Sequence, residues 1–273
     1  YSIHTDTAAY YLTWSASSPG LRFTDYYDPN YAGKSSDTYF KHTEVKTFSN
    51  DYFSGIPISN NQQSIYSEYT DGEGFHKWVW QSQAAFDINL PGLDINGGAA
   101  TIKARAYSGN HNVSEISGGY NHEFGLSLET KGKIIASKKT LGIQKIDVAA
   151  IVSANELKPT TRFYMGEITY SGSGIHVNRL EVQYPRKMDM LNKTYLRLES
   201  NLNSAFVSLS NYNTTASSPT VYDLTNNRRI IADKQSDNRI LFNLPSNGDV
   251  SLIIEDETAF TDIVELKEVE MIN

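Results

Sequence analysis

Short stretches in which apolar and polar residues alternate recur along the chain. Successive side chains of a β-strand point to opposite faces of a sheet, so a period of two predicts a strand with one buried face. The clearest stretches lie at residues 86–90, 102–106, 124–128 and 180–184. Each therefore predicts a half-buried β-strand.

Turn sequences such as Pro91-Gly92 and Asn96-Gly97-Gly98 separate these stretches. Short strands at this spacing, with no long helical stripe, predict an all-β chain of jelly-roll or β-sandwich modules. Segment 145–157 fits a helix or a buried strand. Its Ile and Val residues and the lack of a clean helix cap favour a strand.

Three zones follow from how dense the alternation is. We expect residues 1–70 to form an N-terminal β segment that packs on a central module. Residues 71–190 should form that central, jelly-roll-like β-sandwich, and residues 191–273 a smaller C-terminal β-sandwich. The break at Pro185 and the polar stretch 187–193 suggest the second boundary.

Composition excludes several functional classes. With 39% apolar and 20% charged residues the chain is not disordered, and no run approaches the ~18 apolar residues of a transmembrane helix. A net charge of −7 disfavours nucleic acid and gives no electrostatic reason to bind an anionic membrane. Because cysteine is absent, there is no disulfide, thiolate site or cysteine nucleophile. The chain starts at Tyr1 rather than Met, from which we expect an exported protein or a piece of one.

Catalytic motifs are not recognisable. There is no Gly-x-Ser-x-Gly, P-loop or His-Glu-x-x-His sequence, and Gly33-Lys34-Ser35 lacks the glycine and strand that precede a phosphate loop. No two histidines have the i, i+4 spacing of helical metal ligands, so surface or hydrogen-bonded roles are expected. We assign no catalytic residue and no metal ligands. The histidines are His4, His42, His76, His111, His122 and His176.

Two acidic stretches could supply oxygen ligands to calcium, namely 71–74 (Asp-Gly-Glu-Gly) and 25–28. Neither has EF-hand spacing, and ordinary turns are the favoured interpretation. We therefore expect no cofactor, with calcium as a minor alternative.

Aromatic residues are concentrated in the first third of the chain, where they could pack in a core or stack on a ligand. In Trp78-Val79-Trp80 both indoles fall on one face, which favours core packing. No binding residue is singled out. The aromatic residues concerned are Tyr10, Tyr11, Trp14, Tyr26, Tyr27, Tyr31, Tyr39, Phe40, Trp78 and Trp80.

Segment 175–187, with Tyr184-Pro185-Arg186 near its end, and six other segments form an ordered set along the chain. The other segments are 10–14, 20–23, 42–44, 52–55, 72–75 and 221–225. In this order they resemble the β-rich region that precedes the catalytic domain of gingipain-like cysteine peptidases, and segment 175–187 is similar to the last strand of that region. The PorU-type sortases of the type IX secretion system of Bacteroidetes are the group they resemble most.

This resemblance implies a non-catalytic accessory region of a cell-surface cysteine peptidase that cuts sorting signals from exported cargo and attaches the cargo to a surface lipid. The nucleophile would lie in a downstream catalytic domain. That domain, outer-membrane secretion proteins or exported cargo would be the partners, and the location would be extracellular or on the outer-membrane surface. A carbohydrate-binding or adhesive β-sandwich of the cell surface is the alternative. A free-standing hydrolase has no motif in its favour.

Overall fold

The computed structural model describes residues 22–56, 58–60, 63–65, 71–80, 82–108, 122–130, 132–168, 174–213 and 219–256. Their regular secondary structure consists of β-strands and one 3₁₀ turn at Ala154–Glu156, which confirms the predicted all-β class. No helix in the described part of the chain has the length and apolar character needed to cross a bilayer.

The chain divides into two compact units. The first holds the described residues of Lys41–Arg186, and the second those of Pro19–Phe40 and Lys187–Asn273. The division into three zones with boundaries at residues 70 and 190 stays a prediction.

In the described part of the chain the first unit contains twelve strands, and the first two residues of its first strand, Tyr39 and Phe40, belong to the second unit. The strands are β2 (Tyr39–Thr47), β3 (Asp51–Phe53), β4 (Ile58–Asn60), β5 (Gln63–Ile65), β6 (Gly74–Trp80), β7 (Gln83–Asn89), β8 (Ala99–Ser108), β9 (His122–Leu128), β10 (Ile134–Thr140), β11 (Lys145–Ser153), β12 (Thr160–Glu167) and β13 (Gly174–Lys187).

Strands β6 to β13 form an eight-stranded jelly roll. One sheet has the order β10-β9-β12-β7, and the other has the order β11-β8-β13-β6 and continues into β3. The chain passes between the two sheets so that, apart from the consecutive strands β9 and β10, the antiparallel pairs join strands that are not neighbours in sequence, as in a double Greek key. The predicted central jelly roll is therefore confirmed.

The alternation of the sequence decides which side chains reach the jelly-roll core. On β8, Ile102, Ala104 and Ala106 are buried, while Lys103 and Arg105 between them are exposed. Strand β11 pairs with β8 over nine residues, from Lys145 to Ser153, so segment 145–157 is a strand followed by a 3₁₀ turn. The face of a sheet that points away from this core is called its outward face below.

The second unit is a small β-sandwich. Its strands are β1 (Thr24–Tyr26), β14 (Tyr195–Leu202), β15 (Phe206–Leu209), β16 (Thr220–Asp223), β17 (Arg228–Ile231), β18 (Asp233–Lys234), β19 (Ile240–Asn243) and β20 (Gly248–Glu255). A five-stranded sheet, β1-β17-β16-β20-β14, and a three-stranded sheet, β15-β19-β18, both contribute to one core that includes Leu198, Phe242 and Leu252. The parallel pairing of β1 with β17 brings the segment before β2 into this unit.

Candidate functional site

Six rings lie together on the outward face of the β6–β13–β8 sheet, and we call them the aromatic–histidine cluster. They come from the four strands β3, β6, β8 and β13. Val79, Ile175 and Ala106 face the core, so the residues next to them on these strands face outward. The members are Phe53, His76, Trp78, Trp80, Tyr107 and His176.

The rings of this cluster are in close contact, and two of the ring pairs are stacked. His176 lies between Phe53, with ring centroids 4.0 Å apart, and Trp78, at 4.3 Å. His76 stacks on Tyr107 at 5.2 Å with an interplanar angle of 20°. The two histidine rings are 5.9 Å apart. Each ring is thus held by at least one other ring of the cluster.

Two glycines make room for these rings. A β-carbon at Gly174 would collide with the indole of Trp78, so the indole lies against the bare backbone at the start of β13. A β-carbon at Gly72, whose φ is +83°, would collide with the ring of Tyr107. The turn before β6 therefore passes directly over the cluster.

His76 is the most unusual member, because its side chain is fully buried and neither ring nitrogen has a hydrogen-bond partner among the described residues. Burial lowers the pKa of His76 from 6.5 to about 4. The pKa of His176 also falls to about 4, through burial and the nearby His76, although Asp51 acts in the opposite direction. Both rings are neutral at pH 7. The expectation of surface or hydrogen-bonded histidines is wrong for His76.

Trp80 presents its ring to solvent at the edge of the cluster. Its side chain is 52% exposed, and its ring centroid lies 5.8 Å from that of half-buried Trp78. The predicted core packing of the two indoles is wrong, because Val79 between them takes the core position, with 4% exposure.

Beyond the cluster, the same outward face carries a shallow depression of about 260 Å³. Arg105 Nε lies 2.7 Å from Asp147 Oδ1, and Arg179 Nη2 lies 2.7 Å from Glu181 Oε2. Lys103 Nζ lies 3.3 Å from the other oxygen of Glu181. Every charged side chain that lines the depression is therefore ion-paired and partly open to water.

A buried histidine–carboxylate pair lies elsewhere in the jelly roll. His122 Nδ1 is 3.2 Å from Glu167 Oε2, and the two residues are only 1% and 2% exposed. Glu167 Oε1 also accepts the backbone N–H of Glu123 at 2.6 Å. The pair has the groups of a general base, but both side chains are buried.

The remaining histidines have ordinary surroundings or are not described. His42 Nε2 lies 3.2 Å from Glu44 Oε1 and 3.4 Å from Arg186 Nη1, as expected of a hydrogen-bonded histidine. His4 and His111 lie outside the described residues.

The carboxylates considered for calcium each have a neighbouring donor. No group of three or more His, Asp or Glu side chains in the described part of the chain is arranged to hold a metal ion. The pairs are Asp25 with Arg229 at 3.5 Å, Asp28 with Lys34 at 3.5 Å, Asp71 with Lys145 at 3.7 Å, and Glu73 with the hydroxyl of Tyr52.

The motif residues behind the family resemblance have structural roles where they are described. The hydroxyl of Tyr184 donates to the carbonyl of Pro91 at 2.9 Å, at the end of β13. Fully buried Asp223 accepts the backbone N–H groups of Thr225 and Asn226, each at 3.0 Å, and so closes the β16–β17 turn. Segments 10–14 and 20–21, including Tyr10, Tyr11 and Trp14, lie outside the described residues.

Comparison with known proteins finds a similarity of structure. No protein-family model matches the chain, and no curated protein matches its sequence. Among solved structures it is similar to dimeric latent PorU from Porphyromonas gingivalis, with a TM-score of 0.60 and 12% identity. The match covers 88% of this chain and 22% of that one, so this chain spans less than a quarter of the PorU chain. At this identity the likeness shows a shared fold.

Proposed function

We propose that this chain is the non-catalytic N-terminal accessory region of a cell-surface, gingipain-like cysteine peptidase of the type IX secretion sortase type. One observation carries the proposal: the structural match to PorU extends over 88% of this chain, more than either unit alone could supply. The ordered sequence segments, ending in Tyr184-Pro185-Arg186, support it independently.

The role of such a region is to supply surface and position rather than bond chemistry. Because the chain contains no cysteine, the nucleophile of the peptidase would belong to another part of the parent protein. The described His122–Glu167 pair cannot substitute for it, since both side chains are buried. The jelly roll and the sandwich would position the catalytic domain or dock secretion proteins and exported cargo at the cell surface.

Removal of residues 1–273 from the parent protein tests this role. Cleavage of a short peptide and processing of exported cargo should be measured side by side. We expect the truncated parent to cleave the short peptide and to lose cargo processing, because only the cargo needs the positioning surfaces. Cargo processing at the rate of the intact parent would contradict the proposal. A parent with its nucleophilic cysteine replaced by alanine is the control and should lose both activities.

A further inference from the structure

Strand β11 forms one end of its sheet, and among the described strands it pairs only with β8. Hydrogen bonds at both ends fix the pattern of this pairing. The N–H of Ser108 donates to the carbonyl of Gln144 at 3.1 Å, and the N–H of Ala154 donates to the carbonyl of Gly98 at 2.8 Å. Residues that bond to the partner strand alternate with residues whose N–H and C=O groups point away from it. The even-numbered residues of β11 therefore bond to β8, and the odd-numbered ones point away.

The odd-numbered residues leave a row of backbone groups open, and we call this row the free edge of β11. Of their N–H groups, only that of Ser153 has a partner among the described residues, namely Oε1 of Glu156 at 3.1 Å. The side chain of Ile151 is 75% exposed beside this row. A further strand could therefore bond to the free edge. The residues of the row are Lys145, Asp147, Ala149, Ile151 and Ser153.

The free edge of β11 lacks the features that usually prevent a further strand from pairing, such as lysines and irregularities of register. Strand β10, at the end of the facing sheet, has both. Its register shifts between Ile134 and Ala136, and Lys138 and Lys139 are exposed. Segment 148–152 of β11, Val-Ala-Ala-Ile-Val, contains no charged residue, proline or glycine. The free edge is thus open to a further strand, whereas β10 is protected against one.

Lys138 places a positive charge beside the free edge. It pairs in register with Phe124, a core residue, so it lies on the inner face of β10, yet its side chain is exposed. Strand β10 runs alongside β11, because the turn 141–144 joins them at one end and Lys133 Nζ lies 3.2 Å from Glu156 Oε2 at the other. The ammonium group of Lys138 therefore emerges between the two end strands, where the inward side chains of an added strand would lie.

We propose that the free edge of β11 binds an extended segment of another protein as an added β-strand. Its backbone bonds to the open groups of Asp147, Ala149 and Ile151, and its outward side chains are apolar because they lie beside Ala149 and Ile151. An acidic side chain on its inward face pairs with Lys138. A second copy of β11 fits less well, because it would bring Lys138 towards its own copy. The inference does not depend on a peptidase domain, since every group involved belongs to the jelly roll.

Fluorescence anisotropy with two labelled peptides tests the inference. Both peptides alternate valine with threonine, and the central threonine is replaced by glutamate in one and by lysine in the other. We expect the glutamate peptide to bind about fivefold more tightly than the lysine peptide. Lys138→Glu should reverse this preference.

Ala149→Pro tests the added strand itself. Proline removes the N–H at the middle of the free edge but is tolerated on an edge strand where that N–H points away from the ladder, so binding should weaken about tenfold while the urea midpoint stays unchanged. Ala149→Thr keeps the N–H and is the matched control, with the affinity of the wild type. If Ala149→Pro does not fold, a glutamate peptide with methylated backbone nitrogens gives the same test on the unaltered chain and should not bind.

Three results would overturn the inference. The first is that neither peptide binds. The second is that the folded proline variant or the methylated peptide binds as well as its control, or that Lys138→Glu leaves the preference unchanged. The third is that sedimentation equilibrium shows dimers of the wild type that Ala149→Pro abolishes, because the free edge would then belong to a second copy of the chain.

Discussion

Acid should destabilise the jelly roll through His76. The unfolded chain holds this histidine at a pKa near 6.5, whereas burial lowers its pKa to about 4 in the folded protein. The unfolded state therefore binds more protons, and the stability that depends on neutral His76 is complete above pH 6.5 and is lost as the pH falls towards 4. Each pKa unit corresponds to about 1.4 kcal/mol. Between pH 7.5 and 4.5 the full difference gives about 2.5 kcal/mol, and we expect roughly 2 kcal/mol because water entering around a charged ring would offset part of it.

His76→Phe isolates this contribution. Phenylalanine keeps the stacking on Tyr107 and replaces a buried ring whose nitrogens have no partner among the described residues, so it should not destabilise the protein at pH 7.5. Urea unfolding at pH 7.5 and 4.5, in a Trp14→Phe background, gives the free energies from the fluorescence of Trp78 and Trp80. The wild type should lose about 2 kcal/mol more than His76→Phe between the two pH values. Equal losses in both proteins would refute the reasoning.

Three further substitutions test the packing. Gly174→Ala should lower the free energy of unfolding by about 1–3 kcal/mol, because the new methyl group displaces the indole of Trp78. A urea midpoint equal to that of the wild type would contradict the described position of the ring. Asp223→Ala should cost about 2 kcal/mol in the second unit, measured by urea unfolding with far-UV circular dichroism, since it removes the buried carboxylate that accepts the N–H groups of Thr225 and Asn226. No loss would argue against the described turn. Glu167→Ala should cost about 3 kcal/mol in the same assay by leaving His122 buried without its carboxylate, whereas a neutral effect would mean that the pair is open to water.

The strands could be predicted where one face of the sheet is buried and the other is wet. On β8 the alternation of Ile102 and Ala104 with Lys103 and Arg105 reports this difference directly. The pairing of strands could not be predicted, because β6 meets β13 through contacts between residues distant in the sequence, such as Trp80 and Gly174. The pairing of β1 with β17 in the second unit could not be predicted for the same reason.

The candidate site was only half visible in the sequence. Trp78-Val79-Trp80 shows that the two indoles share a face, but it does not say which face is buried. Two large rings favoured the core, whereas the core in fact takes Val79. Gly174 shows which face the indoles take, because its lack of a side chain leaves room for the ring of Trp78 on the outward face. This role can be recognised only once the register of β6 and β13 is known. The burial of His76 likewise depends on Tyr107, a neighbour from another strand.

The reading frame beyond Asn273 gives the most direct test of the proposed role. We predict that it encodes the catalytic domain of a cysteine peptidase, with a histidine and a cysteine within about 300 residues, which is room for one or two domains. Its catalytic cysteine should be needed for cleavage. A frame that closes without such a domain, or that continues into an unrelated one, would contradict the proposal that this chain is the accessory region of a surface peptidase.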